Sequence, residues 1–352
     1  MVNISQIDRN FAVQTNLNLE NVRFYDIQDE PFSLYGVFFE NGSYRRMPEQ
    51  IAKSISPNID RLHIHTAGGR VKFITNSRYV AIKAVMPVIG KMPHFALTGS
   101  AGFDLYTGKR ETYCQTFTPP FNITDGYESV IHFESRAQRE ITINFPLYSA
   151  VSALYIGLEE DAVLKKSSGY PSQKPIVFYG SSITQGGCAS RPGSAYTSIL
   201  SRALQMDHIN LGFSGSAKAE DAMAQYIRSL DMAFFVYDYD HNAPHIEHLK
   251  QTHQRMFSTI RQAQPQLPII ILSRPKNRLN AADKARLQVI RNTYEAALAA
   301  GDQNVYFIEG PALMKYAKND GTVDNCHPTD LGFYSMAKVL TKASRTILKQ
   351  TP

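Results

Sequence analysis

Hydrophobic and polar positions change rhythm about halfway along the chain. From Leu34 to about Gly157, apolar residues alternate with polar ones at period two: Val71 and Phe73, then Val80, Ile82 and Ala84, then Ile141, Ile143 and Phe145. Turn signals stand between these runs, at Ala67-Gly68-Gly69, Thr98-Gly99-Ser100, Pro119-Pro120 and Asp125-Gly126. Short alternating strands punctuated in this way, with almost no helical periodicity, predict an N-terminal all-β sandwich of the jelly-roll kind. His63 and His65, two apart, would share one side of a strand; that could suit a metal or a sugar hydroxyl, but the polar face of an ordinary strand is the reading preferred.

Residues 164–174, LKKSSGYPSQK, are polar, Ser-rich and Pro-containing, and they predict a boundary. The expected domains are 1–165 and 175–352, with 166–174 as the linker. Beyond Pro175 the pattern becomes strand, loop, helix, repeated. Continuous apolar runs predict strands over 176–179, 209–211, 234–237, 269–272 and 305–308, each covered on both faces. Between the first two, Ser194 would cap a helix in which Tyr196, Ile199, Leu200, Ala203 and Leu204 recur at helical spacing. Further helices fit 219–230, 246–263, 281–300 and 334–348. The alternation predicts a doubly wound sheet of about five parallel strands, with function at their carboxyl ends.

Composition bounds this picture. A chain of 352 residues with 43% hydrophobic content is natural for two cores. The formal charge of +6, from 37 basic and 31 acidic residues, is spread without runs, so no basic stripe predicts a nucleic-acid partner. The opening MVNISQIDRNFAV has no basic segment followed by an apolar one, and no stretch approaches the roughly eighteen apolar residues of a membrane span. A cytoplasmic protein without a membrane partner is expected. Cys114, Cys188 and Cys326 lack CxxC spacing and read as free thiols in a reducing compartment. Nothing in the sequence sets an oligomeric state.

Candidate chemistry begins at PIVFYGSSITQGG, 175–187, where a buried strand runs into a small-residue turn. Ser182 there is either a local cap or turn former, or a nucleophile presented at the sheet's carboxyl end. The spacing excludes a phosphate-gripping loop, which needs a Lys after its second glycine. It also excludes the nucleophile elbow of α/β-hydrolases, since Thr184 stands where that motif has Gly. Later strand ends supply the other parts. After the second comes Asn210-Leu211-Gly212-Phe213-Ser214-Gly215-Ser216, and after the third Asp238-Tyr239-Asp240-His241-Asn242. Val323-Asp324-Asn325-Cys326-His327-Pro328 precedes the last helix. The three-residue spacing of Asp324 and His327 lets a carboxylate hold one ring nitrogen and leave the other for a nucleophile. A helix N-terminus capped by Asp324 fits the same residues.

Gly180-Ser181-Ser182-Ile183-Thr184, Gly215, Asn242 and Asp324-x-x-His327 resemble, in order and spacing, the four blocks of the SGNH or GDSL hydrolases, esterases and acetylesterases on a flavodoxin-like three-layer fold. The resemblance covers about 180 residues, and GRVKFITNS with GFDLY looks like the N-terminal jelly-roll of one bacterial branch. It implies Ser182 as nucleophile, His327 as base and then acid, and Asp324 as orienter. The oxyanion hole would be Ser182, Gly215 and Asn242, and neither metal nor organic cofactor is implied. Two departures are visible: Ser181 replaces the usual Asp, and Asp240-His241-Asn242 replaces Gly-x-Asn-Asp. Gln185, Asp240 and His241 are then expected on a substrate rim.

The implied activity is hydrolysis of small, O-acetyl-type esters on a carbohydrate or glycoside. Acyl transfer by the same triad, and a carbohydrate-binding protein with an idle hydrolase domain, are the alternatives. A zinc site at His241, His245 and His248 is a rival that Pro244 interrupts.

Overall fold

The alternation of the first half becomes two antiparallel sheets. Their main strands are β1 (Val22–Asp26), β2 (Arg70–Thr75), β3 (Tyr79–Val85), β4 (Phe103–Thr107), β5 (Thr112–Phe117), β6 (Gly126–His132), β7 (Arg139–Asn144) and β8 (Ala153–Glu159). The structure, a computed structural model, describes residues 15–350; the opening residues read for a leader, 1–14, lie outside them. One sheet runs β1-β8-β3-β6 and the other β2-β7-β4-β5, with short strands Ser33–Tyr35 and Leu164–Lys165 added along β2.

Val71, Phe73, Ile82, Ile141, Ile143 and Phe145 meet in one core between the sheets, as period-two alternation requires. The polar half of that alternation is not in water. Arg70 and Lys72 on β2 are both buried. The Arg70 guanidinium lies 2.8 Å from His208 and pairs with Asp207 of the second half, while Lys72 Nζ lies 2.8 Å from Glu111.

Two short helices, Glu49–Ile55 and Pro57–Leu62, stand where the pattern shows no helical periodicity. Each is about two turns or less, too short for a 3.6-residue repeat to register. Ser56 Oγ accepts from Ile59 N–H at 3.2 Å and Pro57 takes the first helical position. Ala52, Ile59 and Leu62 join Val177, Tyr179 and Leu211 in a core of the second half. His63 and His65 correct the strand expectation: His63 ends the second helix, His65 forms a single bridge to Ala150, and both are buried.

The second half holds parallel strands β9 (Ile176–Gly180), β10 (His208–Gly212), β11 (Phe234–Asp238), β12 (Ile269–Leu272) and β13 (Val305–Ile308), ordered β10-β9-β11-β12-β13. That is the 2-1-3-4-5 order of flavodoxin-like sheets. The helices are α1 (Tyr196–Leu204), α2 (Asp221–Ser229), α3 (Ile246–Ala263), α4 (Ala281–Ala299) and α5 (Asp330–Gln350). Val177, Tyr179, Phe235, Tyr237 and Ile271 pack against α2, α3 and α4, whereas Ile176, Phe178, Val236 and Ile270 pack against α1 and α5. Burial on both faces is why these strands read as continuous apolar runs.

Two helix starts differ from expectation. Ser194 lies in a 3-10 turn, Pro192–Ser194, and Ala195 occupies the cap position of α1 without a side-chain bond. α5 begins at Asp330 and not at 334; Gly332, a poor helix former, stands in the first turn and masks the earlier start. Among the described residues, no helix is long and apolar enough to cross a membrane.

Candidate active site

The turn after β9 tightens at once into a short helix, Ser182–Gln185. Ser181 is its cap, its hydroxyl accepting from Ile183 N–H at 3.2 Å. A serine therefore meets the capping need at the position where the resembled family has Asp. Ser182 takes the first helical position, so its own N–H has no intrahelical partner. The helix can approach β10 only because position 212 is Gly: a Cβ there would stand 2.2 Å from Gln185 N.

Ser182 Oγ lies 2.9 Å from His327 Nε2, and His327 Nδ1 lies 2.7 Å from Asp324 Oδ2. The other Asp324 oxygen accepts from the N–H groups of Cys326 (3.0 Å) and His327 (2.7 Å). Partial burial works against the Asp324 carboxylate, but bonds from the His327 ring and backbone and from Cys326 outweigh it, holding the carboxyl below its ordinary value. Residues 324–327 form a turn ahead of α5 and not its first turn. Asp324 thus caps local backbone and holds the ring at the same time.

Gly215, with φ +68°, sits in the loop after β10. The Asn242 amide stands against that loop. It satisfies both its ends with the nitrogen donating to Phe213 O at 3.2 Å and the oxygen accepting from Gly215 N–H at 3.3 Å. The structure thus brings Gly215 and Asn242 together on the strand-end rim.

The expected rim residues are placed differently. Gln185 is fully buried: its amide nitrogen donates to Leu147 O (3.1 Å) and meets His65 Nδ1 (3.2 Å), and its oxygen accepts from Ser214 N–H (2.9 Å). Asp240 is 2% exposed and ion-paired to Arg286 (2.6 Å) and Arg274 (3.2 Å), charges supplied far along the chain. Neither is a rim group, because each spends its polar atoms on buried partners. His241 is half-buried, with Nδ1 3.7 Å from Cys326 Sγ. Burial, helped by Arg274 and His327 against the pull of Asp240, brings His241 down to about 4, so its ring is neutral at pH 7. His245 and His248 bond to the start of α3 and to Lys218 O, and do not converge with His241.

Several residues here carry no sequence signal. Arg46, wholly buried, donates to Asn210 O (2.9 Å), Gly212 O (2.6 Å) and Leu62 O (2.8 Å), with its guanidinium 4.6 Å from the Phe213 ring. Burial pulls that guanidinium down to about 9. Tyr148 OH donates to Ser182 O at 3.1 Å. The His94 ring lies 5.6 Å from that of His327. All come from the first half, and their distance along the chain hides them from spacing arguments. Cys188, at φ +75°, follows the nucleophile helix, its thiol pushed up to about 12 by burial and by Asp324 and Cys326.

Residues 173–345 match the model of the GDSL-like lipase/acylhydrolase family, and residues 22–164 match that of the N-terminus of SGNH-hydrolase-type esterases. A solved protein from Bacteroides ovatus ATCC 8483, described as GDSL-like lipase, is 30% identical, covering 94% of this chain and 98% of its own at a TM-score of 0.83. The salicylyl-acyltransferase SsfX3 of a tetracycline biosynthetic pathway is 20% identical (94% and 99% covered, TM-score 0.74). A family two carbohydrate esterase from Cellvibrio japonicus is 14% identical (93% and 98%, TM-score 0.61) and is similar in fold. No curated protein matches by sequence.

Proposed function

The chain belongs to the GDSL-like lipase/acylhydrolase family, and from that premise we propose an ester hydrolase with Ser182 as nucleophile, His327 as general base and Asp324 as its orienter. The observation that carries this reading is the unbroken hydrogen-bonded run from Ser182 Oγ through both nitrogens of His327 to Asp324. Nε2 takes the hydroxyl proton as Oγ attacks the ester carbonyl, then returns it to the leaving alcohol. Water, deprotonated by the same nitrogen, releases the acyl group. The oxyanion is received by the N–H groups of Ser182 and Gly215 and by Asn242. In the resting site the Asn242 nitrogen gives one proton to Phe213 O and its oxygen accepts from Gly215 N–H, so the oxyanion takes the second amide proton of Asn242 and draws Gly215 N–H from its resting acceptor.

The substrate we favour is a short acyl ester, O-acetyl above all, on a carbohydrate or glycoside. Among the four site-bearing turns, only Val323 is a large exposed apolar side chain, which fits a short acyl group better than a chain-binding groove. The carbohydrate esterase likeness supports the sugar. The sandwich order β1-β8-β3-β6 and β2-β7-β4-β5 supports a jelly-roll reading of the first domain, with 1–165, 166–174 and 175–352 as domain, linker and hydrolase.

Hydrolysis of p-nitrophenyl acetate and of an acetylated sugar by wild type and Ser182→Ala, with and without chelator, tests the reading. A loss of roughly ten-thousandfold or more in the variant, untouched by chelator, is expected. Equal turnover by the two proteins would remove Ser182 from the chemistry.

A further inference from the structure

The base is also one corner of a second constellation. One ligand atom each of His94, Cys188 and His327 lies within 4.8 Å of the others, and among the described residues no other three His, Cys, Asp or Glu groups converge this way. We propose that these three side chains form an inhibitory site for a thiophilic divalent cation of the zinc class, which shuts the enzyme by occupying the nitrogen that must accept the Ser182 proton. The inhibition rests on the role proposed for His327; the binding does not.

Two imidazoles and a thiolate are the donors zinc prefers, and they disfavour magnesium and calcium, which take oxygen ligands. Ligand atoms around a tetrahedral zinc stand on the order of 3.5 Å apart, so an inward movement of about 1 Å closes the set. His94 is exposed and free to make it. The 187–188 backbone is already at the base: a Cβ on Gly187 would lie 3.5 Å from His327 Cδ2.

The His327 ring is oriented for this as it is for catalysis. Asp324 holds Nδ1 at 2.7 Å, the carboxylate–imidazole arrangement that fixes the tautomer and raises the basicity of a metal-bound histidine. Nε2 is therefore the atom left for the cation, and it is the atom 2.9 Å from Ser182 Oγ. One lone pair cannot serve both. Binding converts the Cys188 thiol to a metal-bound thiolate and releases its proton to water.

The test titrates wild type, Ser182→Ala, Cys188→Ser and His94→Ala with cobalt(II) and zinc(II). Wild type and Ser182→Ala are expected to bind one cation per chain with a thiolate-to-cobalt absorption band. Cys188→Ser should lose the band, and His94→Ala should need at least about tenfold more zinc for binding and, relative to its own uninhibited activity, for inhibition. Chelator should restore wild-type activity. Absence of the band, or equal zinc affinity in wild type and Cys188→Ser, overturns the site. Binding with the band but without inhibition overturns the shut-off alone. A band in a wild type that hydrolyses no ester upholds the site and overturns the ester-hydrolase reading.

Discussion

The turn that carries Ser182 and the turn that carries His327 face each other across 2.9 Å and are held by opposite means. The base turn is local. Asp324 bonds to residues two and three positions on, and Val323 N–H bonds to His327 O at 2.9 Å. The nucleophile turn is held from far away: by Tyr148 on Ser182 O, by Leu147 and His65 on Gln185, and by Arg46 on the ends of β10. One half of the site is thus organised by its own few residues, the other in part by a different domain. Damage to the first should strike chemistry alone, and damage to the second should strike chemistry and folding together.

Asp324→Asn is the strongest challenge to the local side. It removes the carboxylate that orients the ring, so kcat should fall by about a thousandfold to ten-thousandfold, with the unfolding free energy changed by less than about 0.5 kcal/mol. A large stability loss would show that this turn is not self-contained. Arg46→Met challenges the distant side. It takes a donor from three buried carbonyls, those of Asn210, Gly212 and Leu62, and denaturant unfolding should show a loss of about 3–5 kcal/mol together with reduced kcat. Unchanged activity in the folded variant would uncouple the first domain from the site.

A smaller effect separates the two turns by pH. Thr184 Oγ1 of the nucleophile helix donates to Asp238 Oδ2 at 2.8 Å, and burial, opposed by Thr184 and aided by Asp240, pushes the Asp238 carboxyl up to about 7. The folded state therefore keeps a proton that the unfolded chain releases near pH 4. Stability from this group is present below that value, declines as pH rises, and is fully lost above about 7. Asp238→Asn should lack the decline, so that its stability relative to wild type grows by on the order of 2–4 kcal/mol between pH 4 and pH 8. Parallel profiles for the two proteins would place the titration elsewhere.

The same contrast explains what the sequence makes legible. The five parallel strands are continuous apolar runs closed by turns; Asp324 and His327 lie in a short block whose geometry is set by near neighbours, and Ser182 is marked by the small-residue turn that closes the first strand. Spacing can find such groups. The alternation around Val71 and Phe73 likewise separates the faces of β2, but it does not say that Arg70 and Lys72 look into buried contacts and not into water. Position after strand ends places Gln185 and Asp240 on the rim. Only the tertiary arrangement reveals the partners that draw them inside. Arg46, Tyr148 and His94 leave no trace at all, since their meaning depends on residues more than thirty positions distant.

Arg46 also bears on how such a protein can be recombined. The chain shows a compositional seam at 166–174, and every reacting group proposed for the chemistry lies after it. A gene fragment cut at that seam would inherit the full set of reacting groups but not the guanidinium that spans Asn210 and Gly212. The two halves are separable as text and inseparable as a machine. An exchange of first domains between relatives is therefore expected to need an incoming domain that brings its own cation to the same two carbonyls.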